Sequence, residues 1–136
     1  MNKRLIIFVS IILLIVNFIA CDDTITINDV DNTTIPDENV SFADHIYPLL
    51  QVKCAFSGCH ASPSPADGLD FTTYANVTSD VTVVFPGEPD LSSMVWAIEP
   101  NNTAASKMPP IETGLALTEN QINGIRTWIK EGAKNN

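Results

Sequence analysis

Two thiols and an imidazole fall within seven residues in Cys54-Ala55-Phe56-Ser57-Gly58-Cys59-His60. Whatever those three side chains hold must lie inside the domain that forms around them. A cysteine pair with a histidine directly after it narrows the choice to a local disulfide, a metal centre or a covalently attached cofactor. The choice depends on the compartment, which the start of the chain addresses.

Met1-Asn2-Lys3-Arg4 is basic, and from Leu5 to Ala20 every residue is apolar except Ser10 and Asn17. Sixteen residues fall short of the ~20 needed for a comfortable membrane span, and the run stops at a small residue before a cysteine, as a secretion signal does. Phe18-Ile19-Ala20-Cys21 resembles a bacterial lipobox, with Phe18 where Leu is usual. The resemblance implies a signal peptide over 1–20 and acylation of Cys21, whose several chains would anchor the protein firmly in a membrane. The expected location is the cell envelope, on the periplasmic face or at the outer membrane or cell surface. Outside the cytoplasm thiols are oxidised or captured, so Cys54 and Cys59 are not expected to stay free.

Removal of the signal takes Lys3 and Arg4 away. Five of the 7 basic residues then remain against 16 acidic ones, a net of −11. Such a chain is not expected to bind nucleic acid; its field favours basic protein partners, or only keeps it soluble. From Asp22 to Val40 the sequence is rich in Asp, Asn and Thr with scattered Ile and Val, and residues 21–40 read as a flexible lipid-anchored tether. Residues 41–136 then form one domain, small enough that a covalent cofactor or disulfide would supplement its core.

The periodicity of that domain is helical. A first helix is predicted from Ser41, with Asp44 in its first turn, Phe42, Ile46, Leu49 and Leu50 on one stripe, and a kink or restart at Pro48. A second is predicted from Leu91 to Ile98 behind a cap at Asp90, burying Met94, Val95 and Ile98 with Trp96 lateral. The last begins at the capping box Thr118…Gln121, with Leu117 and Ile122 as a staple. It buries Ile122, Ile125, Trp128 and Ile129 and ends at Gly132. Val81 to Phe85 reads as a short strand, and the segments around Pro63, Pro65, Pro86, Pro89, Pro109 and Pro110 as shaped loops.

The histidine is the informative part of the cysteine motif. In haem c attachment two thiols add across the porphyrin vinyl groups, which brings the next residue beneath the iron, where imidazole serves as an axial ligand. The usual spacing is two residues; here four intervene, and Gly58 supplies backbone freedom for the bulge. This wider spacing resembles variants within the cytochrome c family. Lys107-Met108-Pro109-Pro110 resembles the segment that carries the sixth ligand in many small class I cytochromes c, and the order of helix, attachment motif, Met-Pro loop and terminal helix is similar to theirs. Gly68-Leu69-Asp70, Phe85-Pro86-Gly87-Glu88-Pro89 and Trp128-Ile129-Lys130-Glu131-Gly132-Ala133 are also similar to family members.

That resemblance covers Ser41 to Ala133 and implies a mainly α, cytochrome c-like helical domain with long loops around one haem, behind the tether. It implies one covalent haem c on Cys54 and Cys59, with His60 and Met108 on the iron. First and last helices would cross, setting Phe42 or Tyr47 against Trp128 and Ile129. With both axial positions filled the expected role is electron transfer to redox partner proteins, not catalysis. Lys107 and Arg126 are candidates to meet a haem propionate, and Trp96, Tyr74 and Phe56 to wall the pocket.

Three alternatives use the same residues. Cys54 and Cys59 joined to each other would make a non-haem interaction domain. Cys54, Cys59, His60 and His45 would make a zinc site, although adjacent Cys59 and His60 fit poorly around one tetrahedral ion. Without Met108 on the iron, a five-coordinate haem would suit a peroxidase or sensor. No Ser-His-Asp set, phosphate loop or paired carboxylate emerges. Asp67 and Asp70 read as turn residues, and the sequons at Asn32, Asn76 and Asn101 as chance.

Overall fold

The computed structural model describes residues 24–101 and 106–136, so the signal segment and Cys21 lie outside the described residues. Five α-helices, joined by long loops and single 3-10 turns, make up the described part, and no strand occurs among the described residues. They are α1 (Ile27–Asn32), α2 (Tyr47–Lys53), α3 (Tyr74–Val77), α4 (Ser93–Ile98) and α5 (Glu119–Lys130).

The first predicted helix begins where expected, in a different form. Ser41 caps it by accepting from the Asp44 amide at 3.1 Å, but Phe42–Ile46 forms a wide π-helical turn before α2 starts at Tyr47. Pro48 is the cause. At the second position of a new helix its missing N–H belongs to the set that has no intrahelical partner anyway, and the wider turn accommodates its ring. Phe42, Ile46, Leu49 and Leu50 are all buried.

Helix α5 carries the predicted capping box: Gln121 N donates to Thr118 Oγ1 at 3.2 Å, and Thr118 N to Gln121 Oε1 at 2.9 Å. Its buried face is rotated from the expected one. Gln121, Gly124, Ile125, Trp128 and Ile129 are buried, whereas Ile122 is only half-buried. Phe42 lies against Trp128 with ring centroids 5.4 Å apart, so the turn that opens the first predicted helix does pack against α5; Tyr47 stays at the surface, 5.9 Å from Phe42.

The N-terminal segment explains the rotation and corrects the expected extent of the tether. From Thr26 onward the chain is folded onto the domain. Thr26 and Asp29 form a reciprocal capping box for α1, and Val30, Ile35 and Val40 are buried. Asn120 brackets Ile35, accepting from its N–H and donating to its carbonyl, both at 2.9 Å. Glu131 accepts from the amides of Asn39 and Val40 at 2.6 and 2.9 Å. Gly124 leaves the space: a Cβ there would fall 2.6 Å from Ile35 Cγ2. Three isolated apolar residues suffice because polar side chains of α5 satisfy the backbone between them, a pairing no local pattern reveals.

Two further expectations change. Val81–Phe85 is a turn: Asp80 accepts from Thr82 N at 2.8 Å through its side chain and from the Val83 and Val84 amides through its carbonyl, so the backbone closes on itself instead of pairing with a strand. Val83 and Val84 still enter the core. The middle helix starts later than predicted, at Ser93, because Pro89–Leu91 forms a separate 3-10 turn; Trp96 Nε1 reaches back to the Asp90 carbonyl at 2.8 Å.

Candidate functional site

Helix α2 ends at Lys53, and the chain turns sharply through the cysteine motif. Cys54 and Ala55 amides both donate to the Leu50 carbonyl, at 2.9 and 2.7 Å, and His60 N returns to the Cys54 carbonyl at 3.0 Å. The loop closed by this last bond is the predicted bulge. Gly58 adopts φ +86°, a conformation costly to residues with a Cβ, and a Cβ there would meet nothing within 4 Å. The four-residue spacing is thus absorbed locally, and Cys54, Cys59 and His60 all face one cavity.

That cavity has a volume of about 340 Å³ and mainly apolar walls, among them Leu50, Phe56, Leu69, Phe71, Met94 and Ile98. Met108, Pro109 and Pro110 close it from the far side of the sequence. Met108 is held by its backbone N–H, which donates to the Ala97 carbonyl at the end of α4 at 2.9 Å. Two thiols, an imidazole and a thioether, more than 50 residues apart in part, therefore line one space.

The imidazole is oriented. His60 is buried, its ring lies 4.7 Å from that of Phe71, and Nδ1 is 3.1 Å from the Leu69 carbonyl. A carbonyl only accepts, so Nδ1 carries the proton and Nε2 is left with its lone pair for a metal. The Leu69 carbonyl is itself fixed by the loop that bears it. Asp70 accepts from Thr72 N at 2.8 Å and from the Ser62 hydroxyl, and Phe71 N donates to the His60 carbonyl at 2.9 Å. Those bonds from Ser62 and Thr72 hold the Asp70 carboxyl well down, at about 2. Asp70 is a turn residue, as predicted, with a further part in stapling the loop behind His60.

Cys54 and Cys59 are not joined to each other, and both are half-buried. Burial pushes the Cys54 thiol up to about 12, with the neighbouring Cys59 adding to the shift and Lys53 opposing it. An unionised thiol in an apolar pocket is a poor spontaneous nucleophile.

Among the predicted wall residues, only Phe56 lines the cavity. Tyr74 packs edge-on against Phe42 and donates to the Ala133 carbonyl at 2.8 Å, and Trp96 is turned toward Asp90. Arg126 is engaged by Glu99 and Asp90, and Lys107 Nζ by the Glu99 carbonyl, so neither candidate for a propionate contact faces the cavity with its charge free. His45 Nδ1 accepts from Ser41 N at 3.0 Å and His45 does not line the cavity shared by Cys54, Cys59 and His60; among the described residues no three His, Cys, Asp or Glu side chains group to hold a metal. Sequence reasoning missed Lys53, which is 2% exposed, lines the cavity and follows no motif.

The residues fit haem c by their donor set: paired thiols for covalent attachment, one imidazole whose Nδ1 is taken by the Leu69 carbonyl, and a thioether from a separate loop in the same apolar space. A helical scaffold with this arrangement resembles a cytochrome c domain. In agreement, a family model described as Planctomycete cytochrome C matches residues 57–112, a stretch that contains Cys59, His60 and Met108. The similarity supports a c-type cytochrome role with covalently bound haem c, and a cytochrome c domain is in general an electron carrier. No curated protein and no solved structure shows significant similarity to the chain.

Proposed function

We propose that the protein is a mono-haem electron carrier in which Cys54 and Cys59 would hold the haem covalently and His60 and Met108 would ligate its iron. The observation that carries this reading is the convergence of all four side chains on one apolar cavity, with His60 Nδ1 committed to the Leu69 carbonyl. Haem held there would supply one-electron exchange. The protein's own part is to hold and to exclude. Leu69 keeps His60 in the metal-binding tautomer, Pro109 and Pro110 stiffen the backbone after Met108, and the apolar walls keep water from the centre. A thioether ligand favours the reduced ion and raises the potential.

Lipidation at Cys21 completes the proposal. A firm acyl anchor in the cell envelope would restrict the carrier to a membrane surface, where its acidic charge favours basic redox partners. The folding of residues 26–40 onto the domain would keep the domain close to that surface. The test is the visible spectrum of protein matured in a strain competent for haem c attachment, compared with Met108→Ala. Loss of the methionine-to-iron absorption in the variant supports the axial pair. An identical spectrum refutes it and favours a five-coordinate sensor or peroxidase.

A further inference from the structure

Lys53 is a buried cation with every donor engaged. Its Nζ is 2.6 Å from Asp31 Oδ1, 2.9 Å from the Ala116 carbonyl and 3.3 Å from Gln121 Oε1. An ammonium has three N–H groups, and three acceptors meet them. The acceptors come from three separate parts of the chain: α1, the loop after Met108, and the first turn of α5. Gln121 ties two of these together again, donating to the Val30 carbonyl at 3.1 Å and to Asp31 at 3.0 Å.

The contact with Ala116 is the consequential one. Between Met108 and Thr118 the hydrogen bonds of the described residues are otherwise local: Thr113 to Pro110, Gly114 to Ile111 and Leu115 to Thr113. At its near end the loop is held by Met108 N on the Ala97 carbonyl and by Lys107 on the Glu99 carbonyl. At its far end it is held by Lys53. Ile111, between the two, is 92% exposed and contributes no packing. Residues 111–114 are all exposed, so the middle of the loop takes its position from its two ends, where Met108, Pro109 and Pro110 line the cavity and Leu117 packs against the core beside the Lys53 contact.

We propose that Lys53 is a positioning residue for Met108, fixing the far end of the methionine loop to the helix that delivers Cys54. The inference rests on Met108 as the sixth ligand. Through Asp31 the same lysine couples that ligand to the docked N-terminal segment, the part of the chain that leads toward the membrane. Charge is used because a short neutral side chain at the end of α2 offers no donor for three acceptors at once.

The test is displacement of Met108 by imidazole in the ferric holoprotein, followed through the methionine-to-iron absorption. Lys53→Met keeps the apolar stem and removes the ammonium. Its apparent imidazole Kd is expected to fall about tenfold, the scale of one lost charge-assisted hydrogen bond. Lys53→Arg, with charge and donors restored, is expected to stay within about threefold of wild type. A purely structural role would lower thermal stability and leave the Kd unchanged, and that result in folded Lys53→Met protein overturns the proposal. If Lys53→Met does not accumulate folded, Lys53→Gln decides: the shorter neutral side chain gives up the ammonium held 2.9 Å from the Ala116 carbonyl, and an unchanged Kd there is equally fatal. Should Met108→Ala bind imidazole as wild type does, the axial assignment fails instead, which separates the two.

Discussion

Replacing Asn120 with Ala tests whether the N-terminal segment is a docked part of the domain or a loose tether. Asn120 makes two hydrogen bonds to the backbone of Ile35, both at 2.9 Å, and Ile35 is 3% exposed. Each bond contributes about 1 kcal/mol net, and leaving the buried Ile35 N–H without a partner adds about 1 kcal/mol more. Alanine returns about 0.5 kcal/mol through its higher helix propensity. The expected loss is about 2.5 kcal/mol, or a fall in Tm on the order of 10 °C for a domain of this size. Thermal and urea unfolding of the holoprotein measure it, and hydrogen exchange at the Ile35 and Val40 amides localises it. Asn123→Ala, an exposed site on the same helix, should change stability by less than about 0.5 kcal/mol. If Asn120→Ala is as mild as Asn123→Ala, residues 26–40 do not pack as described, and the reasoning from their hydrogen bonds is wrong.

Gly124→Ala places a methyl group 2.6 Å from Ile35 Cγ2 and 3.0 Å from its Cβ, a branched centre that cannot swing away, and should cost about 1–3 kcal/mol in urea unfolding. Asp70 is depressed to about 2 from 3.8 by Ser62 and Thr72, so its contribution is present above pH ~4 and lost as pH falls through about 2. Asp70→Asn should therefore flatten the acid limb of a Tm-against-pH curve in that window; an unchanged limb would mean the staple does not form. Gly58→Val forces a β-branched residue into φ +86° and should lower the yield of holoprotein severalfold without closing any space, measured as haem per chain.

The parts of the fold that sequence reveals are those fixed by near neighbours. Thr118 and Gln121 signal their helix because the capping box needs only four residues, and Pro48 signals a restart because its ring and missing N–H act within one turn. Cys54, Cys59, His60 and Met108 are legible as chemistry, and the structure gathers them in one cavity. The docked segment is illegible for the opposite reason. Val30, Ile35 and Val40 are too widely spaced to show a period, and what holds them is Asn120, Gln121 and Glu131, roughly 90 residues away. The same long-range pairing turns the inner face of α5 from Ile122 toward Gln121 and Gly124. Arg126 and Lys107 read as free cations until Asp90 and Glu99 are seen beside them.

Covalent attachment of one haem in this cavity is open to direct measurement. Intact protein from a strain with haem c maturation, washed with acid acetone and then assayed as the pyridine haemochrome, measures it directly. One non-extractable haem per chain is expected, lost in the Cys54→Ala, Cys59→Ala double variant. Colourless protein from the competent strain, with Cys54 and Cys59 joined to each other, would contradict it.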